Sequence, residues 1–122
     1  MVVVEVNGYT IKPGAHLNGA YLAGANLTLA DLSNASLEGA DLRKADLSNA
    51  NLEGVDFTFP DITCEDDTLT FLEGVNLRAA NLRGTNFAGA DLDWALLTEA
   101  LANENTIWPD GVFPVKRGVI FD

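Results

Sequence analysis

Covalent or acid/base chemistry has little to draw on in this chain, which holds one histidine, His16, and one cysteine, Cys64, among 122 residues. A Cys/His or Ser/His/Asp set needs its members within hydrogen-bond reach of one another. If the chain winds along an axis, His16 and Cys64 are too far apart for that. Neither has a second His or Cys at metal-ligand spacing, and a single Cys forms no intramolecular disulfide. Carboxylates are plentiful, with 18 Asp and Glu against 7 Lys and Arg. They do acid/base work only where a cleft shifts their pKa values, and on a convex surface they remain solvated charge. The residues therefore predict no catalytic set, no cofactor, no metal and no enzyme.

The elements that carry these residues are set by a period that is neither helical nor extended. From Leu17 to Leu97 every fifth residue is large and apolar except Asp67, over seventeen consecutive frames. A helix repeats its buried face every ~3.6 residues and a strand every ~2, so neither holds a period of five for that long. In each frame the first residue is small (Ala15, Ala40, Ala80), the second is Asp or Asn in twelve of seventeen frames, and the third is the large apolar centre. The first and third residues share one side of a short extended segment, and the remaining two turn a corner. Gly ends the frame at 19, 24, 39, 54, 74, 84 and 89, where a positive φ is cheapest without a Cβ. Stacked coils of such sides form a tube filled by Leu and Ala, each Leu contributing ~1.5–3 kcal/mol.

The A(D/N)Lxx run over residues 15–99 resembles the pentapeptide-repeat proteins. The resemblance implies an all-β fold, a right-handed quadrilateral β-helix of about four coils with four frames to the coil, and short terminal caps. We read residues 1–14 as an N-terminal hairpin cap, 15–99 as the β-helix and 100–122 as a C-terminal cap and tail. Val4 to Ile11 alternates around Asn7-Gly8, a hairpin turn signal. Trp94 to Leu101 reads as a short helix. The run from Asn103 to Phe113 resembles a tail of cyanobacterial members, with Ile107 and Trp108 closing the core.

Net charge is −11, and residues 31–73 hold eleven carboxylates against Arg43 and Lys44. Such a surface repels nucleic acid and anionic lipid, whose binding requires cations. The expected partner is a protein with a basic surface, and direct nucleic-acid or membrane binding is not expected. Val2-Val3-Val4 is too short for a signal or membrane segment, so the chain reads as cytoplasmic, a monomer or weak homodimer. The function expected is that of a non-enzymatic scaffold or interaction rod with its partner unknown. The alternative is a DNA-mimicking binder of a type II topoisomerase, as in the gyrase-protecting members that the resemblance brings in. Four coils at ~4.8 Å carry one net charge per ~1.8 Å, close to duplex DNA, but their ~20 Å imitates only about six base pairs.

The frame fails once, at Glu65 to Leu69, where an intact wall buries Glu65 and Asp67 in an apolar tube. An unpaired buried carboxylate costs several kcal/mol, more than one Leu supplies, so residues 65–69 are expected to loop outward. An uninterrupted wall stacks Ser33, Glu53, Glu73 and Asp93 in one column, whereas the loop shifts later frames one side along. The acidic and apolar residues around the interruption, Glu53, Phe59, Asp66, Asp67, Leu69, Phe71 and Glu73, form the expected partner surface.

Overall fold

Five residues are too few for a strand of ordinary length plus a turn, so each frame contributes a single parallel bridge rather than a ladder. In a computed structural model, which describes residues 4–58 and 70–122, His16 bridges Ser36, Tyr21 bridges Asp41, Asn26 bridges Asp46 and Asp31 bridges Asn51. Partners twenty residues apart put four five-residue frames in each coil. The wall is thus a square tube. Each centre residue donates its N–H to the coil below, as Leu22 does to Asp41 O at 2.8 Å. Each second-position residue donates to the coil above, as Asp41 does to Ala20 O at 2.9 Å. Leu22, Leu32, Leu42, Leu52 and Leu72 are fully buried, and the small first-position Ala residues lie beside them.

Every corner is closed by an N–H from the next frame, such as Ala20 N to Leu17 O at 3.0 Å. Its fifth residue takes a positive φ whatever its type, 69° at Gly19, 60° at Lys44 and 58° at Ala79. Stacked corners repeat one geometry, so the wall imposes the left-handed conformation even where the residue resists it.

One side of the tube takes rings instead of Leu. Phe57 stacks on Phe87 at 5.2 Å and 6°, and Phe87 on Trp108 at 5.3 Å and 21°. Successive coils bring these rings together with nearly parallel planes, at centroid spacings within the ~4.5–7 Å range of favourable aromatic pairs.

The register changes once. Asp41 bridges Phe71, Asp46 bridges Asn76, Asn51 bridges Asn81 and Asp56 bridges Asn86, all thirty residues apart instead of twenty. Fifteen residues therefore separate Asp56 from Phe71 on the adjoining side, ten more than the step from Asp41 to Asp46. The expected loop at 65–69 lies outside the described residues. The flanking residues fix the surplus at two frames rather than one, which turns later frames two sides along. Strand Thr70–Phe71 resumes the wall and is followed by Ala90–Asp91, its parallel partner. Thr70 is fully buried, donates its hydroxyl to Phe57 O and accepts Gly39 N–H at 2.9 Å, tying the resumed wall to the coil before it.

Both ends depart from the plain frame. Strands Val4–Val6 and Tyr9–Ile11 form the expected antiparallel hairpin, with Asn7 at φ 53° and Gly8 at 83°, the signature of a type I′ turn. Trp94 to Leu101 is not a helix. Leu96 bridges Asn76, Trp94 sits at a corner with φ 62°, and strand Leu101–Ala102 continues the wall past residue 99. Ala90, Ala95 and Ala100 keep the frame, and its coil-to-coil bonds outweigh local helix propensity. Of the two residues expected to close the core, Trp108 does so while Ile107 points outward at 50% exposure. The chain ends with a short 3-10 helix (Pro114–Arg117) and strand Ile120–Phe121, which pairs in parallel with Leu101–Ala102. Where no further coil covers the third side, Arg117 Nη2 donates to Ala95 O at 2.7 Å.

Two stability measurements check this account by urea unfolding. No atom lies within 4 Å of a Cβ added at Gly19, so Gly19→Ala costs only the backbone term, ~1 kcal/mol, and Ala79→Gly gains ~0.5–1 kcal/mol. Thr70→Val leaves Gly39 N–H and Phe57 O without their hydroxyl and costs ~1–3 kcal/mol.

Candidate functional site

The tube interior is filled, so whatever the protein meets it meets with its walls or its ends. The outward second position is mostly Asp or Asn, and its carboxylate or amide oxygen turns back on its own corner. Asp31 Oδ1 accepts Ser33 N–H at 3.1 Å, Asp46 Oδ1 accepts Ser48 N–H at 3.0 Å, and Asn76 Oδ1 accepts Arg78 N–H at 3.1 Å. These are the Asx turns that short polar side chains make with neighbouring backbone. The repeated Asp is in the first place a device for building corners.

Its charge is tuned accordingly. The Ser48 hydroxyl and N–H hold Asp46 below the usual carboxylate range, and the Arg43 fork does the same to Asp41. Arg43 binds Asp41 through Nε to Oδ1 at 2.9 Å and Nη2 to Oδ2 at 2.6 Å, while its guanidinium lies 5.2 Å from the Phe71 ring centre in the coil below. Burial, and next the carboxylate of Asp56, push Glu38 up.

The expected partner surface is divided by the two-frame surplus. Ser33, Glu53 and Arg83 fall in one column, whereas Arg43, Glu73 and Asp93 fall in another on the opposite side of the square. Glu53 and Glu73 are exposed but face away from each other, and Phe71 is half-buried under Arg43 instead of free. Phe59, Asp66, Asp67 and Leu69 lie outside the described residues, as does Cys64. His16 is an exposed wall residue, as its position in the frame predicts. Among the described residues no group of three or more His, Cys, Asp or Glu is placed to hold a metal. No helix among them is long and apolar enough to cross a membrane.

Sequence reading missed two features. Arg83 reaches along the wall to the last residue and grips the Asp122 carboxylate, with Nη2 to Oδ1 at 3.0 Å. The signal in the sequence was only a cation within an acidic repeat. The second is a groove of about 360 Å³ beneath the N-terminal hairpin, lined by Val4, Val6, Ile11, Leu27, Leu29 and Ala30 among others. Convex walls gave no hint of it, because it belongs to an end.

A family profile described as pentapeptide repeats matches residues 20–58 and 70–100 in eight copies. A solved pentapeptide-repeat protein from Nostoc PCC 7120 is 34% identical, with 88% of this chain and 84% of that one covered and a TM-score of 0.44. One from Cyanothece 51142 is 32% identical over 79% of this chain and 62% of that one, with a TM-score of 0.39. One from the Arabidopsis thaliana thylakoid lumen is 24% identical over 88% and 62%, with a TM-score of 0.39. No curated protein sequence matches the chain.

The pKa directions set the acid response. Asp41 and Asp46 have lowered values in the fold, so their stabilisation is present above the ordinary value of 3.8 and is lost as pH falls through the folded values. Glu38 works the other way, its effect present below 4.5 and lost as pH rises. Urea midpoints at pH 7 and pH 3 should fall on acidification. Ser48→Ala should lower the pH 7 midpoint and narrow the difference.

Proposed function

Because the chain belongs to the pentapeptide-repeat family, whose fold is the right-handed quadrilateral β-helix, we propose that it is a non-enzymatic rod that binds another protein. The observation that carries this reading is the outward grammar of the wall. Eleven Asp and Asn residues between Asn26 and Asn103 spend an oxygen on their own corner while staying at the surface. The result is a rigid, flat, carboxylate-bearing surface whose ordering cost is met in folding, so little is left to be lost on association.

The partner proposed is a protein with a basic face, and the surface proposed for it is that around Glu53, Phe59, Asp66, Asp67, Leu69, Phe71 and Glu73. Support comes from the net charge of −11, which steers cationic surfaces toward the rod. Since Glu53 and Glu73 lie on opposite sides, one flat partner covers only one of them. A cytoplasmic location is part of the proposal and is read by cell fractionation. So is the division into an N-terminal cap at 1–14, a wall over 15–99 and a C-terminal cap and tail at 100–122, with the strand Leu101–Ala102 in support of a wall that runs somewhat further.

DNA mimicry toward a type II topoisomerase is the second reading, and charge density favours it. Against it, Arg83 follows Glu53 and Arg43 precedes Glu73 in their columns, which interrupts the continuous negative line that a duplex presents.

Capture from the native host with wild type, Glu53→Gln and Glu73→Gln checks the proposal. One variant should lose most of the partner and the other should not, and capture should weaken with added salt. Salt-sensitive inhibition in a gyrase supercoiling assay at micromolar protein would promote the second reading, and no effect would end it.

A further inference from the structure

Each coil is finished by the one above it, and the first coil has none. In later coils the second-position residue donates its N–H to a small residue above and accepts from a centre residue above. Asp46 N donates to Ala25 O at 2.9 Å and Leu27 N to Asp46 O at 2.8 Å, and the pairs Asn51 to Ala30 and Leu32 to Asn51 repeat the pattern at 2.8 and 2.9 Å. In the first coil the equivalent groups of Tyr21 are met by the hairpin, with Tyr21 N–H donating to the Tyr9 hydroxyl oxygen at 3.1 Å and Asn7 Nδ2 donating to Tyr21 O at 3.5 Å. The N–H and C=O of Asn26 and Asp31 have no partner among the described residues, and both side chains are exposed.

These two residues border the groove of about 360 Å³, whose apolar lining comes from the hairpin on one side and Leu27 and Leu29 on the other. That volume lies at the lower end of ligand clefts, ~300–1,000 Å³. Leu29 is 77% exposed at φ 62°, in a corner position that Gly19 and Gly24 fill elsewhere in the same coil. A bulky apolar side chain held in the left-handed region at the lip of a groove is unfavourable twice over for the free protein. The lining carries one carboxylate, Asp31, and one ammonium, Lys12, so the groove is near neutral within a chain of net charge −11.

We propose that this open edge is a strand-addition site that takes an extended segment of a partner protein. The segment offers small and branched apolar side chains at alternate positions, pointing down into the tube, and basic residues between them, pointing out. Its backbone donates to and accepts from Asn26 and Asp31 as a preceding coil would, which is the β-augmentation mode of peptide recognition. Charge complementarity selects the basic outward positions, because the surrounding field of the rod is acidic. The inference rests on the reading of the chain as a protein-binding rod, but it moves the contact from a wall to an end.

The test uses the full chain and a synthetic peptide, acetyl-Lys-Ala-Lys-Leu-Lys-amide, followed by amide NMR. Shifts should concentrate in 4–12 and 26–31, and exchange at Asn26 and Asp31 should slow. Asn26→Pro removes an N–H that the fold does not use together with the side-chain oxygen that accepts Thr28 N–H, so Asn26→Ala, which loses only that oxygen, is its control, and Leu29→Gly keeps the corner while removing the lip. Asn26→Pro relative to Asn26→Ala, and Leu29→Gly relative to wild type, should each weaken binding by about fivefold, the loss of one hydrogen bond or apolar contact, with the thermal midpoint held or raised in the same comparison. Shifts spread over the acidic walls, or equal affinity for wild type and both variants, would overturn the proposal. So would slow exchange at Asn26 and Asp31 without peptide that speeds up on deleting residues 1–3, or only on dilution, since the edge would then be covered by the chain's own terminus or by a second copy. A native partner captured equally by wild type and Asn26→Pro leaves the rod reading intact and removes this one.

Discussion

A frame of five residues has no internal way to satisfy its own extended backbone. Apart from the corner bonds, which close within a frame, the N–H and C=O groups of the stacked walls find their partners in the coil above or below, at spacings of 2.7–3.2 Å. Long-range pairing is therefore a condition of the local structure, in contrast to a helix, whose bonds close within one turn. The buried Leu column, the positive φ of the corners and the treatment of both ends follow from that single dependence.

The corners show how strongly stacking overrides residue preference. Leu29, Lys44, Trp94 and Glu99 adopt φ values of 60–64° that only Gly takes at little cost. At Lys44 the corner carries a bond to the next coil, Lys44 N to Glu73 O at 3.0 Å, and its own turn bond, Ala45 N to Leu42 O at 3.0 Å, and a residue that refused the left-handed region would break both. The same logic explains the buried threonines. Thr70, Thr85 and Thr106 stand where Ala is usual, and each donates its hydroxyl to a centre carbonyl, of Phe57, Leu52 and Leu82 respectively. A polar atom inside an apolar tube is tolerated because it is paired.

At the ends the ladder stops, and side chains replace it. Arg117 supplies at Ala95 O the bond that a further coil would supply, and Tyr9 and Asn7 do so for Tyr21. Part of the first coil is left without such a substitute among the described residues. The walls are self-satisfied by their Asx turns, so the ends are where backbone hydrogen-bonding capacity remains for a partner to use.

The five-residue period, the inward Ala and Leu, the Gly corners and the Asn7-Gly8 hairpin were legible in the residues, because each is a local requirement that a particular side chain meets. The repeated Asp and Asn were legible for the same reason, as corner-makers. What lay beyond the sequence depends on which frame stacks on which. The ten surplus residues between Asp56 and Phe71 place Glu73 on the side opposite Glu53, and a local pattern carries no measure of how far the register shifts between coils. Trp94 to Leu101 read as a helix because propensity is local, while the wall that claims it is built from residues twenty positions away. The sequence by itself determined the tube and the chemistry of its walls. The tertiary structure alone decided which charges share a face and where the backbone edge is left open, since both are set by pairing between coils rather than by any single frame.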